Sequence, residues 1–221
     1  MPEASQKSRK DLVDHWTEIV SALLLAVATV ASTWCAYQSA LWGGIQIFRL
    51  ADSFVAGRKA AEQSLRADQQ QALDVGMFVN YIEAAIEGKE DMAQYLLERF
   101  RPEMKVAVDA WLATKPHENP DAPSSPFAMK EYSLEAAREA AKLDADAVGY
   151  IKLAQEANET SDSYVLLTVL YATVLFFAGI GPKFDNRVLK ILVLIFGVLI
   201  FIGATIALAY FPVAPLRKFP L

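Results

Sequence analysis

The chain has 221 residues, 54% of them hydrophobic, with a formal net charge of −5 and a mean hydropathy of +0.22. Its single cysteine, Cys35, excludes an internal disulfide and a zinc site built from cysteines. Residues 49–162 hold 13 Lys or Arg against 21 Asp or Glu, a net of −8, and this acidic balance argues against nucleic acid as a partner.

Three stretches, 19–48, 163–182 and 191–216, contain no Asp, Glu, Lys or Arg. A helix needs about 20 apolar residues to cross a hydrocarbon core about 30 Å thick, and each stretch reaches that length. The pattern predicts an all-α integral membrane protein with three transmembrane helices, at 19–43, 163–182 and 191–212. An extramembrane antiparallel helical bundle at 44–162 falls between the first two. A short tail at 1–18, a basic turn at 183–190 and a C-terminal tail at 213–221 complete the division.

At the N-terminus, Lys7, Arg9 and Lys10 precede the first apolar run, and Ala26-Val27-Ala28 resembles a signal-peptide cleavage site. Asp11, Asp14 and Glu18 make a poor n-region, and the run continues well past that site. The expectation is an uncleaved anchor.

The end of that run, STWCAYQSALWGGIQ at 32–46, is rich in aromatic and amide side chains. Trp16 and Tyr37 lie 21 positions apart, about 31 Å along a helix. Trp16 is therefore expected at one interface and Trp34, Tyr37 and Trp42 at the other. Ala28, Ser32, Ala36 and Ala40 recur every fourth residue and predict a helix-packing face of small side chains. Trp34, Gln38, Trp42 and Gln46 form an adjacent row, expected as interfacial support. A polar ligand held between Gln38 and the two Trp rings is the competing reading.

Beyond Gly43-Gly44 the helical period continues. Ile47, Leu50, Phe54 and Gly57 lead into Ala61, Leu65, Asp68, Ala72, Val75, Val79, Ile82 and Ile86 at steps of three or four. This predicts a packing seam, bent near Gly57 or Gly76, with Asp68 as its one charge and a register position. Gly88 closes the helix, and Lys89-Glu90-Asp91 restarts one with acids in its first turn. Pro102 opens another short helix. KPHENPDAPSSPF, 115–127, has four prolines and predicts an extended crossing; His117, Glu118 and Asp121 there are too sparse to be read as a metal site. From Ser133 a second long helix is expected, with Leu134, Ala137, Ala141, Ala145, Val148 and Ile151 facing the first.

The chemistry is sparse. Two His, one Cys, and no glycine-rich phosphate loop, metalloprotease motif or nucleophile elbow predict no catalytic residue, no cofactor and no metal. The spans hold no ionisable Asp, Glu, His, Lys or Arg, which ion and proton pathways usually need. Short segments on the side of the N-terminus and the 183–190 turn carry six Lys or Arg (7, 9, 10, 183, 187, 190), against Arg217 and Lys218 on the other side. The bias predicts a cytoplasmic N-terminus, with the helical domain and the C-terminus outside.

WCAYQSALWGGIQ and SDSYVLLTVLYATVLFFAGI resemble a group of uncharacterised bacterial three-span membrane proteins, which carry W-x-A-Y-Q after the first span and D-x-Y followed by L-F-F-x-G in the second. WLATKPHENPDAPSSPF, followed by EY, fits the same pattern. The resemblance implies a bacterial inner membrane location and brings no activity or site residue. The expected role is non-enzymatic: a multi-pass protein in the lipid bilayer that organises itself as a homo-oligomer, or an unidentified membrane-protein partner, through its coiled-coil-like helical domain. A partner-dependent sensor and an oligomeric channel lined by uncharged residues are the alternatives.

Overall fold

The computed structural model describes residues 2–215, with side chains from His15 onward. Lys7, Arg9, Lys10, Arg217 and Lys218, on which part of the charge bias rests, lie outside the side chains so described. The described residues form five α-helices and no strand: α1 (Pro2–Ile86), α2 (Glu90–Glu98), α3 (Pro102–Ala113), α4 (Glu135–Ile180) and α5 (Arg187–Tyr210). α1, α4 and α5 are each long and apolar enough to cross a membrane. α1 is helical from Pro2 and runs unbroken through Gly43-Gly44, Gly57 and Gly76. It stops where Gly88 adopts a left-handed φ of 73° and the Lys89 N–H closes back on the Ala84 carbonyl at 2.9 Å. The proline-rich crossing is turns, plus one 3-10 turn at Pro126–Ala128.

The chain divides into two compact units, Met1–Leu50 with Ile151–Leu221, and Ala51–Tyr150. In the first, Leu24, Ala28 and Cys35 of α1 pack with Tyr164, Leu167, Tyr171 and Val174 of α4 and with Leu194 and Ala204 of α5. Tyr171 meets Phe201 edge-on at 5.8 Å and its hydroxyl pairs with Thr205 Oγ1 at 3.1 Å, so the buried phenol keeps a hydrogen bond. A Cβ at Gly197 would stand 3.4 Å from Phe177 Cβ and 3.8 Å from Leu24 Cδ2, so α5 lies in contact with both α1 and α4 there. Asn186 caps α5 by accepting from the Val188 and Leu189 N–H groups. Thr29, Thr33, Thr168 and Thr173 each return their hydroxyl to the carbonyl four residues back, which satisfies them within an apolar helix.

In the second unit, Ala67 packs with Leu134 and Ala136, and Phe100, Met104 and Val108 pack with Met77, Phe78, Tyr81 and Phe127. Phe78 meets the edges of Trp111 and Phe127 at 5.5 and 5.7 Å. The Trp111 indole N–H donates to the Pro123 carbonyl at 2.7 Å and ties the proline-rich crossing to α3.

The packing faces differ from those the sequence predicts. Along α1 the covered positions are Thr17, Ser21, Leu24, Ala28, Ala31, Cys35 and Gln38 in the first unit. In the second they are Ser53, Ala56, Ala60, Gln63, Ala67, Gln70 and Asp74. Both runs alternate steps of three and four, a 3.5-residue repeat. Ile47, Phe54, Leu65, Val75, Val79 and Ile86, expected on the seam, are exposed. On α4 the same shift occurs: Ala136 and Ala147 are buried, while Ala137, Ala141, Ala145 and Val148 are exposed. Hydropathy favours large apolar residues, but the covered face is built from small ones, because they allow closer backbone approach.

Candidate functional site

Each unit holds a buried polar cluster whose partners are resolved. In the first, the segment after α5 runs extended from Phe211 and is gripped by three side chains. The Pro212 carbonyl accepts from the Trp42 indole N–H at 3.1 Å and from the Tyr164 hydroxyl at 3.2 Å. The Ala214 N–H donates to Gln38 Oε1 at 2.9 Å. Phe211 lies edge-on to Tyr164 at 5.7 Å. Next to this latch, Ser161 Oγ donates to the Ser39 carbonyl at 3.0 Å and pairs with the Ser39 hydroxyl at 3.0 Å, 3.9 Å from where a Cβ on Gly43 would stand. Gln38 is 0% exposed, and its Nε2 has no hydrogen-bond partner.

The predicted residues divide across this geometry. Of the small-residue stripe, Ala28 is buried, Ser32 is half-buried, and Ala36 and Ala40 are exposed. A four-residue step advances about 400°, so the stripe rotates about 40° per step off any straight contact. The aromatic-amide row splits likewise: Trp34 is exposed, its ring 6.0 Å from that of Tyr37, while Trp42 and Gln46 are half-buried. Gln38 sits inside the packing seam, not on an interfacial row.

In the second unit, Asp74 is the buried charge. Its Oδ2 accepts from Tyr132 Oη at 2.9 Å and from Arg101 Nη1 at 3.3 Å, while Arg101 Nη2 reaches Glu103 at 3.3 Å. Burial, followed by the bond to the Asp74 carboxylate, pushes the Tyr132 phenol well above its ordinary range. Asp74 falls on the three-and-four spacing Ala67, Gln70, Asp74, Met77, and that register is the signal in the sequence that finds it. Among the described residues no group of three His, Cys, Asp or Glu converges on a point where a metal ion would sit. Both clusters bind the chain's own segments: backbone in the latch, a tyrosine and an arginine at Asp74. Neither aligns a nucleophile with a base.

No protein-family model, no curated protein and no solved structure matches the chain.

Gln38→Leu removes the only side-chain acceptor for the buried Ala214 N–H, and an unsatisfied buried donor costs about 1–3 kcal/mol. Loss of the unpaired Nε2 offsets part of this, so a net destabilisation of about 1 kcal/mol is expected. Hydrogen exchange at Ala214 should accelerate in that variant and change less in Trp42→Phe, since Tyr164 still donates to Pro212. Equal protection in the wild type and Gln38→Leu would show that the latch does not hold this segment.

Asp74→Ala removes the buried acceptor of Tyr132 while Arg101 keeps Glu103, and should cost about 2 kcal/mol; Tyr132→Phe should cost about 1.5 kcal/mol, as expected for one bond to a charged group. The raised Tyr132 pKa fixes the sign of the pH dependence. Its stabilisation is complete below the unfolded pKa of about 10 and falls as pH rises through the higher folded pKa. Thermal unfolding in detergent should therefore show the wild type losing more stability than Tyr132→Phe above pH 10. Parallel alkaline profiles would contradict the assignment.

Proposed function

We propose that the chain is a non-enzymatic multi-pass membrane protein that organises itself or partner proteins through an extramembrane helical domain. The observation that carries this reading is the unit Ala51–Tyr150, which buries a face of small residues and leaves Phe54, Leu65, Leu73, Val79 and Ile86 exposed. Large exposed apolar surfaces mark interaction sites. The three apolar helices support insertion in a bilayer. The division at 51–150 and the crossing between α3 and α4 support an antiparallel pairing of α1 with α4 inside this unit, since Ala67 meets Leu134 and Ala136 while Gly57 and Asp144 line the other end of one groove. The sequence resemblance supports an inner membrane location, and the six-to-two distribution of short-segment cations favours a helical domain outside the cytoplasm. The 183–190 turn is too short to hold a signalling module, which favours the organising role over a sensor that signals through this turn.

Purification from native membranes in mild detergent, followed by mass measurement and subunit identification, should return a homo-oligomer or a complex with a stoichiometric foreign subunit. A lone protomer would sink the organising role, and a homo-oligomer that conducts ions in lipid would replace it with a channel. For topology, cysteines at Ser124 and Asn186 in a Cys35→Ser background are probed with a membrane-impermeant thiol reagent in cells with a permeable outer barrier. Labelling at 124 and not at 186 is expected, and the reverse would invert the orientation.

A further inference from the structure

The extended segment after α5 is held by side chains. Among the described residues its last backbone–backbone bond runs from the Phe211 N–H to the Leu208 carbonyl at 3.3 Å. Pro212, Val213 and Pro215 are exposed, and only Ala214, 1% exposed, is buried. The grip is also a bridge. One oxygen, that of Pro212, accepts from Trp42 on α1 and from Tyr164 on α4, while Gln38 on α1 takes the Ala214 N–H. Three bonds to two backbone groups thus fix α1 against α4 through a third segment, beside the direct Ser39–Ser161 contact.

Opposing terms act on this bridge. The buried Tyr164 hydroxyl and the edge contact of its ring with Phe211 favour closure. Against them, the Gln38 carboxamide is fully covered while its Nε2 has no partner. A buried unmet donor works against the bond that Gln38 Oε1 makes. The Trp42 indole N–H, on a half-buried ring, finds replacement partners in water. Return to the closed state is easy as well. Pro212 and Pro215 fix φ near −65°, so the freed segment has few conformations to lose.

We propose that residues 211–214 form a releasable strap. Closed, it ties α1 to α4 at this level of the first unit; open, it frees the two helices to move apart there. This conformational device is independent of the organising role above.

The test uses the full-length protein in phosphatidylcholine nanodiscs, in a Cys35→Ser background. A nitroxide on Val213→Cys, an exposed position, should give two components in its electron paramagnetic resonance spectrum, one immobilised and one mobile. Trp42→Phe with Tyr164→Phe deletes both donors to Pro212 and should raise the mobile-to-immobilised ratio at least about tenfold, about 1.4 kcal/mol. Ala214→Pro deletes the strap's N–H without altering either long helix and should shift the ratio the same way. Helix spacing is read by double electron–electron resonance between exposed positions: Ile47→Cys with Gln155→Cys on the strap's side of the unit, and Val27→Cys with Phe176→Cys away from it. Freeing the strap should broaden the 47–155 distances and leave the 27–176 distances in place. A single immobilised component that neither change shifts would show a fixed tie, and a wholly mobile wild-type label would show that the strap does not close. Unchanged 47–155 distances with a mobile label, or equal broadening at both pairs, would also overturn the proposal.

Discussion

Close approach of helix backbones along a 3.5-residue repeat is the constraint on which both units depend. α1 meets it with Ser21, Ala28 and Cys35 in one unit and with Ala56, Ala60 and Ala67 in the other. Small side chains bring helix axes together and let dispersion act over a long contact, which matters most in lipid, where apolar burial gives helices no reason to associate. The same choice sends the large apolar residues outward. For a lipid-facing helix that is the favourable arrangement. In the Ala51–Tyr150 unit it leaves Phe54, Leu65 and Val79 at the surface.

Polar residues that fall on the repeat become fixed points. Gln38 and Asp74 both occupy covered positions, and both bond a segment outside the long helices: Gln38 Oε1 the backbone after α5, and Asp74 the side chains of Tyr132 and Arg101. A buried polar group bonded in one register is unsatisfied in any other, so each residue penalises a slip of its helix along the seam. Single polar positions set register in coiled coils in the same way. Reading Gln38 and Asp74 as alignment devices accounts for their burial without any chemistry.

Much of the layout was legible in the sequence. The charge-free runs mark the three apolar helices, Gly88 marks the end of α1, and Pro102 the start of α3, because charge, a left-handed turn and a missing amide are local properties. The choice of packing face was not legible. Ile47, Phe54, Leu65 and Val79 dominate any hydropathy reading, yet they are exposed, and the alanines beside them are covered. Which of two faces a helix buries depends on how near its neighbour comes, which a single chain of letters does not contain. In the sequence Gln38 stands as one of a row of aromatic and amide residues, but its bonding partner is the Ala214 N–H, 176 residues away along the chain.

That separation has a consequence for biogenesis. At translation rates of about 5–20 residues per second, roughly 9–35 s pass between synthesis of Gln38 and synthesis of Ala214. During that interval the amide of Gln38, and from its own synthesis onward the hydroxyl of Tyr164, lack their final partners. The closing bonds therefore wait until the chain has been made as far as Ala214, and a chain released before Pro212 cannot form them. A product truncated before Pro212 would leave the buried amide of Gln38 and the hydroxyl of Tyr164 without these partners, so the first helix carries polar groups that are met only when the segment after α5 has been made.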